Sequence, residues 1–176
     1  MKRFVFNSAV VLVSSFFLLS CGDDNDAPFG LDLEPEVTSN VNVNLDVSAI
    51  LQIVNENRAN GAQCGSSSKS PVSALEWSDE LALSALAHSD DMQRNNYFSH
   101  EGRNGSSFGQ RAKDAGYEGS PVGENIAQGY RSEADVMQGW MDSPGHCNNI
   151  MSSRATQIGI ARSATGSYWT MVLGRD

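Results

Sequence analysis

Residues 156–173 read TQIGIARSATGSYWTMVL. Ile158 and Ile160 stand two apart before the turn Thr165-Gly166-Ser167, and apolar residues alternate again from Tyr168 to Leu173. A period of two on each side of a glycine-containing turn predicts an antiparallel hairpin. The segments before it carry a period near 3.6 instead. Helices first and a terminal hairpin predict an α+β fold with helices packed on an antiparallel sheet.

Working back from the hairpin, Ser143-Pro144 reads as a helix cap followed by proline at the first helical position, opening a short helix through His146, Cys147 and Ile150. Ser132 caps the helix before it, with Asp135 three residues on and Val136, Met137, Trp140 and Met141 as its apolar contacts. Residues 107–115 predict a shorter helix stopped at Gly116. Ser78 caps another, with Asp79 and Glu80 in its first turn, a stripe of Leu81, Ala85, His88 and Met92, and Asn95-Asn96 at its end. A first helix starts at Asp46, shows Val47, Ile50, Leu51 and Val54 at helical spacing, and ends at Gly61. Residues 62–73, rich in Ser and Gly, predict a loop.

The N-terminus carries a different message. Lys2 and Arg3 precede a mostly apolar stretch from Phe4 to Leu19. This describes a secretory signal over residues 1–20, too short for a comfortable membrane span of about 20 apolar residues. Leu18-Leu19-Ser20-Cys21 resembles a bacterial lipobox, with Cys21 as the lipidated residue; an ordinary signal peptide with a chance cysteine is the alternative. Residues 21–45 hold Asp, Asn, Pro and Glu with scattered Val and Leu, which predicts an acidic flexible tether, although Val41-Asn42-Val43-Asn44-Leu45 also alternates like a short strand. The remaining residues, 46–176, suit one domain.

Removing residues 1–20 leaves 10 bases against 21 acids, a net charge of −11. Such a chain repels nucleic acid and anionic headgroups, so its expected membrane attachment is the lipid itself. An acidic stretch after a lipidated cysteine also resembles surface-export signals of some Gram-negative lipoproteins. With Cys21 lipidated, Cys64 and Cys147 remain. An even pair in an oxidising compartment favours a disulfide, two buried free thiols being the alternative.

Three histidines remain for chemistry. His88 lies on an apolar stripe, where a histidine is usually a hydrogen-bonded core residue. His100 follows Asn96-Tyr97-Phe98-Ser99 in a loop that two aromatics can anchor in the core. His146 sits near a helix start, where the dipole keeps an imidazole neutral. Glu124 is enclosed by small and apolar residues from Val122 to Ala127. Two neutral imidazoles and a carboxylate form a candidate zinc or calcium site, with Glu124 as general base on a bound water. The sequence contains no H-E-x-x-H, Cys-x-x-Cys, nucleophile-elbow, phosphate-loop or dinucleotide-binding motif.

Four ordered blocks then coincide with a known pattern: His88-Ser89-Asp90-Asp91-Met92, Asn96 to His100, Gly123-Glu124-Asn125-Ile126-Ala127, and Trp140-Met141-Asp142-Ser143-Pro144-Gly145-His146. They resemble the signature blocks of bacterial domains of the CAP superfamily, which groups cysteine-rich secretory proteins, antigen 5 and plant pathogenesis-related proteins. The resemblance spans about residues 46–174. It implies an α/β/α sandwich, a central antiparallel sheet between helical layers, and pairing of Cys64 with Cys147. It also implies a cleft of two histidines and two glutamates, often able to bind a divalent cation. His100 and Glu124 match the first of each. Ser143 stands where the second glutamate is expected and Arg154 where the last histidine is expected, leaving His146 and Asp142 as substitutes.

The superfamily has no single activity. Three readings follow for this chain. The first is a monomeric, lipid-anchored envelope protein, at the outer membrane or cell surface, binding a sterol, lipid-like or cell-wall ligand at a cleft of His100, Glu124, His146, Asp142 and Ser143. The second is a metal-dependent, peptidase-like hydrolase on His100, His146 and Glu124. The third is an inert scaffold in which these groups form only a polar core network.

Overall fold

The computed structural model describes residues 37–176. The signal segment, Cys21 and residues 22–36 of the expected tether lie outside the described residues.

The elements in chain order are α1 (Val47–Asn60), β1 (Ala62–Cys64), β2 (Ser67–Lys69), β3 (Glu76–Trp77), α2 (Asp79–Asn95), α3 (Phe108–Asp114), β4 (Ser120–Gln128), α4 (Glu133–Asp142), α5 (Pro144–Ile150), β5 (Gln157–Arg162) and β6 (Tyr168–Arg175). Four helix starts are closed by side chains: Asp46 accepts from the Ala49 amide, Ser78 from Leu81, Ser107 from Gln110 and Ser132 from Asp135. Each satisfies an amide that the helix itself cannot. Ser143 precedes α5 as expected, but its side chain makes no capping bond.

The main sheet runs β3-β5-β6-β4. β5 and β4 flank β6 antiparallel, as the hairpin predicts, while the two residues of β3 join β5 in parallel. Its two faces differ sharply. Ile158, Ile160, Trp169, Met171 and Leu173 pack with residues of α1, α4 and α5, including Ile50, Val54, Trp140 and Ile150. The intervening residues of the same strands are small: Gly159 and Ala161 lie under α2, and Thr170 accepts the Ser89 hydroxyl at 2.8 Å. A Cβ on Gly159 would stand 2.0 Å from the Ala82 amide nitrogen, so α2 rests on β5 backbone to backbone. Helices on both faces make the α/β/α sandwich.

Three local differences from the sequence-based expectations have physical reasons. Residues 62–73 are not all loop, because β1 and β2 pair antiparallel from Ala62–Lys69 to Cys64–Ser67. Residues 37–45, assigned to the tether, lie against the domain without forming a strand. Val43 is buried, its carbonyl accepts from the Arg162 amide at 3.0 Å, and Asn40 reaches Asp79. Finally, β4 forms from residues whose propensities oppose it, with a register shift between Pro121 and Gly123.

Two cross-links set the position of α5. Cys64 and Cys147 form a disulfide across a separation of 83 residues. Arg58, wholly buried on α1, donates to the carbonyls of Ser73, Ile150, Ser152 and Ala155. It thereby gathers the end of α5 and the start of β5 around one guanidinium, whose pKa burial lowers.

Candidate functional site

The site forms at β4, the outer strand of the sheet. Glu124 pairs in register with Val172 and turns its carboxylate to the α2–α3 side. Both of its oxygens are engaged. His100 Nδ1 lies 2.8 Å from Oε1, and Arg111 Nη2 donates to Oε2 at 2.6 Å. A carboxylate at this position only accepts, so the His100 proton sits on Nδ1 and Nε2 is the free ring nitrogen. The Glu124 side chain is 1 % exposed and the His100 side chain 56 %. A sequestered acid therefore orients a solvent-facing imidazole.

The loop carrying His100 is fixed at several points. Asn96 ends α2 in the left-handed conformation, and the Tyr97 amide returns to the Met92 carbonyl. The Tyr97 hydroxyl donates to Asp91, and its pKa is pushed up to about 12, first by burial and then by that carboxylate. His88 Nε2 lies 2.9 Å from the Ser99 carbonyl. Arg111, one turn into α3, adds bonds to the carbonyls of His100 and Ser106.

His146 arrives from the opposite helical layer. Asn125 donates to its carbonyl, and Asn149 donates to Asn125 Oδ1 and to the Glu124 carbonyl. The Trp140 indole donates to the Ile126 carbonyl. Side chains of α4 and α5 thus cover backbone acceptors that an outer strand would otherwise leave exposed. Burial lowers the His146 pKa, and any proton on neighbouring His100 acts in the same direction, so the His146 ring is neutral at pH 7.

The two imidazoles line one cleft of about 700 Å³, together with Ser143 and an apolar wall of Phe98, Ile126, Tyr130 and Trp140. Glu124 stands behind His100 and does not line it. Asp142, the proposed substitute carboxylate, lies outside; it is exposed and accepts from Gln138 at 2.8 Å. Arg154 is exposed on the loop before β5. Phe98 is not a core anchor as expected, being 50 % exposed beside the cleft.

This donor set does not fit the three-ligand zinc or calcium site. Among the described residues no three His, Cys, Asp or Glu side chains converge on one point. The Glu124 side chain is 1 % exposed with each oxygen already accepting one bond, and the Arg111 guanidinium beside it repels a second cation. Arg111, which bonds Glu124, and Phe98, which lines the cleft, are the positions at this candidate site that pattern reasoning misses. A lone arginine on a short helix and one aromatic in a loop carry no periodic signal.

A family model described as the Cysteine-rich secretory protein family (CAP) matches residues 51–173. The chain is 36% identical over 102 residues to the uncharacterized protein YkwD of Bacillus subtilis, covering 58% of this chain and 40% of that one. It is 35% identical over 92 residues to the uncharacterized membrane protein YlbC of the same organism, covering 52% and 27%. Among solved structures, an extracellular protein of Bacillus anthracis containing a SCP domain superposes with a TM-score of 0.62 at 28% identity, over 73% of this chain and 39% of that one. An outer surface protein of Borrelia burgdorferi shares the fold, with a TM-score of 0.57 at 18% identity over 74% and 96%. The chain spans less than half the length of the Bacillus proteins it matches. With the α/β/α layers and the His100–Glu124 pair in place, the match over residues 51–173 settles the family: the chain belongs to the cysteine-rich secretory protein (CAP) family.

Proposed function

We propose that this protein is an exported, lipid-anchored binding module that holds a lipid-like or envelope-derived ligand in the cleft between His100 and His146. One observation carries the reading. Phe98, half exposed, faces Tyr168 at 6.5 Å between ring centroids and lines the cleft in which both imidazoles stand. An apolar wall with a few polar groups at one end suits an amphipathic ligand, and about 700 Å³ lies within the range of small-molecule sites. Export is supported by the signal segment and by the extracellular relative of Bacillus anthracis. The lipid anchor rests on Cys21.

The test is saturable binding of a fluorescent fatty acid, with cholesterol as competitor, to the full chain. A ligand at 100 times its Kd adds about 2.7 kcal/mol to stability, which a melting curve detects. Phe98→Ala should weaken binding about tenfold, the loss of one buried aromatic contact. No saturation and no melting shift with either probe would end the reading. A second reading, ester hydrolysis, is favoured by the His100–Glu124 hydrogen bond, which leaves Nε2 free as a base. Turnover of 4-nitrophenyl acyl esters, lost in His100→Ala, would select it instead.

A further inference from the structure

The imidazole cleft lies against a free strand edge. β4 ends the sheet and, among the described residues, pairs only with β6. Backbone directions alternate along β6. The Ser167 carbonyl accepts from the Gly129 amide, on the β4 side, and the next carbonyl, of Tyr168, accepts from the Ser163 amide on the β5 side. In an antiparallel pair this alternation turns the amide and carbonyl of every second outer-strand residue away from the sheet. Gln128 faces Tyr168, Ile126 faces Thr170 and Glu124 faces Val172, so these three residues point outward. The side-chain bonds agree. Asn149 covers the outward carbonyl of Glu124 and the Trp140 indole that of Ile126. Among the described residues no group bonds the outward carbonyl or amide of Gln128, which is exposed.

The space beyond this edge is walled on both faces. Phe98 and His100 stand on one side and Trp140 and His146 on the other, with Ile126 and Gln128 at the base. Neighbouring strands lie about 4.8 Å apart, so the cleft occupies the place of a fifth strand. Native proteins blunt open edges with charge, proline or a bulge. In β4 the proline and the register shift lie at the other end, at Pro121 and Gly123. Ile126, Ala127 and Gln128 carry none of these devices, and Gly129, at φ +89°, turns the chain away beyond them. A hydrocarbon chain offers nothing to the Gln128 amide and carbonyl; a polypeptide backbone offers an acceptor and a donor at strand spacing. Charge restricts the peptide further. Glu101 is the one carboxylate on the cleft lining, no lysine or arginine joins it, and the chain carries a net charge of −9.

We propose that the cleft takes an extended, cationic peptide segment, added to the outer edge of β4 as a further strand. Gln128 donates through its amide and accepts through its carbonyl, and alternate peptide side chains turn toward Phe98 and toward Trp140. This rests on the reading of the cleft as a ligand site, and it names extended polypeptide as the envelope-derived class that the site takes.

The experiment titrates the full chain with fluorescein-labelled Lys-Val-Tyr-Val-Lys-amide and with the same peptide N-methylated at every backbone amide. The parent peptide should bind saturably with a Kd below about 1 mM. The methylated peptide keeps the side chains but cannot donate to a strand edge, and should bind at least about tenfold more weakly. Hydrogen exchange at the Gln128 amide should slow when the parent peptide is bound. Gln128→Pro removes that outward amide at an edge position, where proline is tolerated, and should also weaken the parent peptide about tenfold. The proposal is overturned by no saturation with the parent peptide, by equal binding of the methylated peptide, by unchanged exchange at Gln128, or by an unchanged Kd in a folded Gln128→Pro variant. The fluorescent fatty acid separates the two readings: saturation with the fatty acid and none with the peptide overturns the added strand alone, and failure of both probes overturns the cleft as a ligand site as well.

Discussion

The two faces of the sheet are built on opposite plans. Toward α1, α4 and α5, alternate strand residues are large, and Trp140, Trp169, Ile158, Met171 and Leu173 fill the layer, with Arg58 and Asn125 as buried polar side chains within it. Toward α2 and α3, the intervening residues are Gly159, Ala161 and Thr170, and the buried groups include His88, Ser84, Ser89 and Glu124. The first face gains stability from apolar area removed from water. The second brings a helix within backbone contact and uses the remaining space for hydrogen-bonded polar groups. The imidazole cleft opens where the two layers meet at β4, with His100 from the polar side and Trp140, Ser143 and His146 from the other.

The division can be broken by changing volume on each face in turn. Trp169→Ala removes a fully buried indole from the large-residue face and should cost about 4 kcal/mol in urea denaturation. Gly159→Ala adds a single methyl to the other face, where the Ala82 amide lies 2.0 Å from the new Cβ, and should cost about 3 kcal/mol through overpacking. A neutral Gly159→Ala would mean that α2 can lift from β5, and the close-contact plan would be wrong. Glu124→Gln keeps the shape but removes the charge between His100 and Arg111. It should cost about 2 kcal/mol, the scale of a charged hydrogen bond. Its second readout is the His100 ring signal by NMR, which should lose its fixed tautomer. An unchanged signal would show that Glu124 does not orient the ring.

The same contrast explains what could be read from the chain. The helix starts were legible at Asp46, Ser78 and Ser132 because capping is local chemistry. The hairpin of β5 and β6 was legible because one face needs large apolar residues at every second position. The strand β4 was not, since Gly123, Glu124 and Asn125 are poor strand formers, stabilised only by pairing with β6 and by bonds from Asn149 and the Trp140 indole. His100, Glu124 and His146 were recognisable by residue type. Their arrangement was not, because it depends on Arg111 taking one Glu124 oxygen and on α5 docking against β4, contacts more than ten residues away in sequence. Asp142 shows the limit of adjacency: one residue from Ser143, which lines the cleft, it lies outside the cleft and accepts from Gln138.

The finest test of the polar face is its response to pH. Folded His88 is kept neutral by burial and by the Arg111 charge, against the opposing pull of Glu124, the Ser99 carbonyl and Asp91. In the unfolded chain the same ring takes up a proton near pH 6.5. The folded state therefore binds fewer protons below that point, and stability falls as pH falls, while above about pH 7 neither state is protonated and the curve is flat. One such group contributes at most about 1.4 kcal/mol per pH unit. His146, whose pKa is also lowered, adds to the slope in the same direction. His88→Gln retains an amide donor for the Ser99 carbonyl but cannot titrate, so its stability should decline less steeply between about pH 6.5 and 5 than that of the parent. Equal slopes in parent and variant would place a protonated ring inside the folded α2 face.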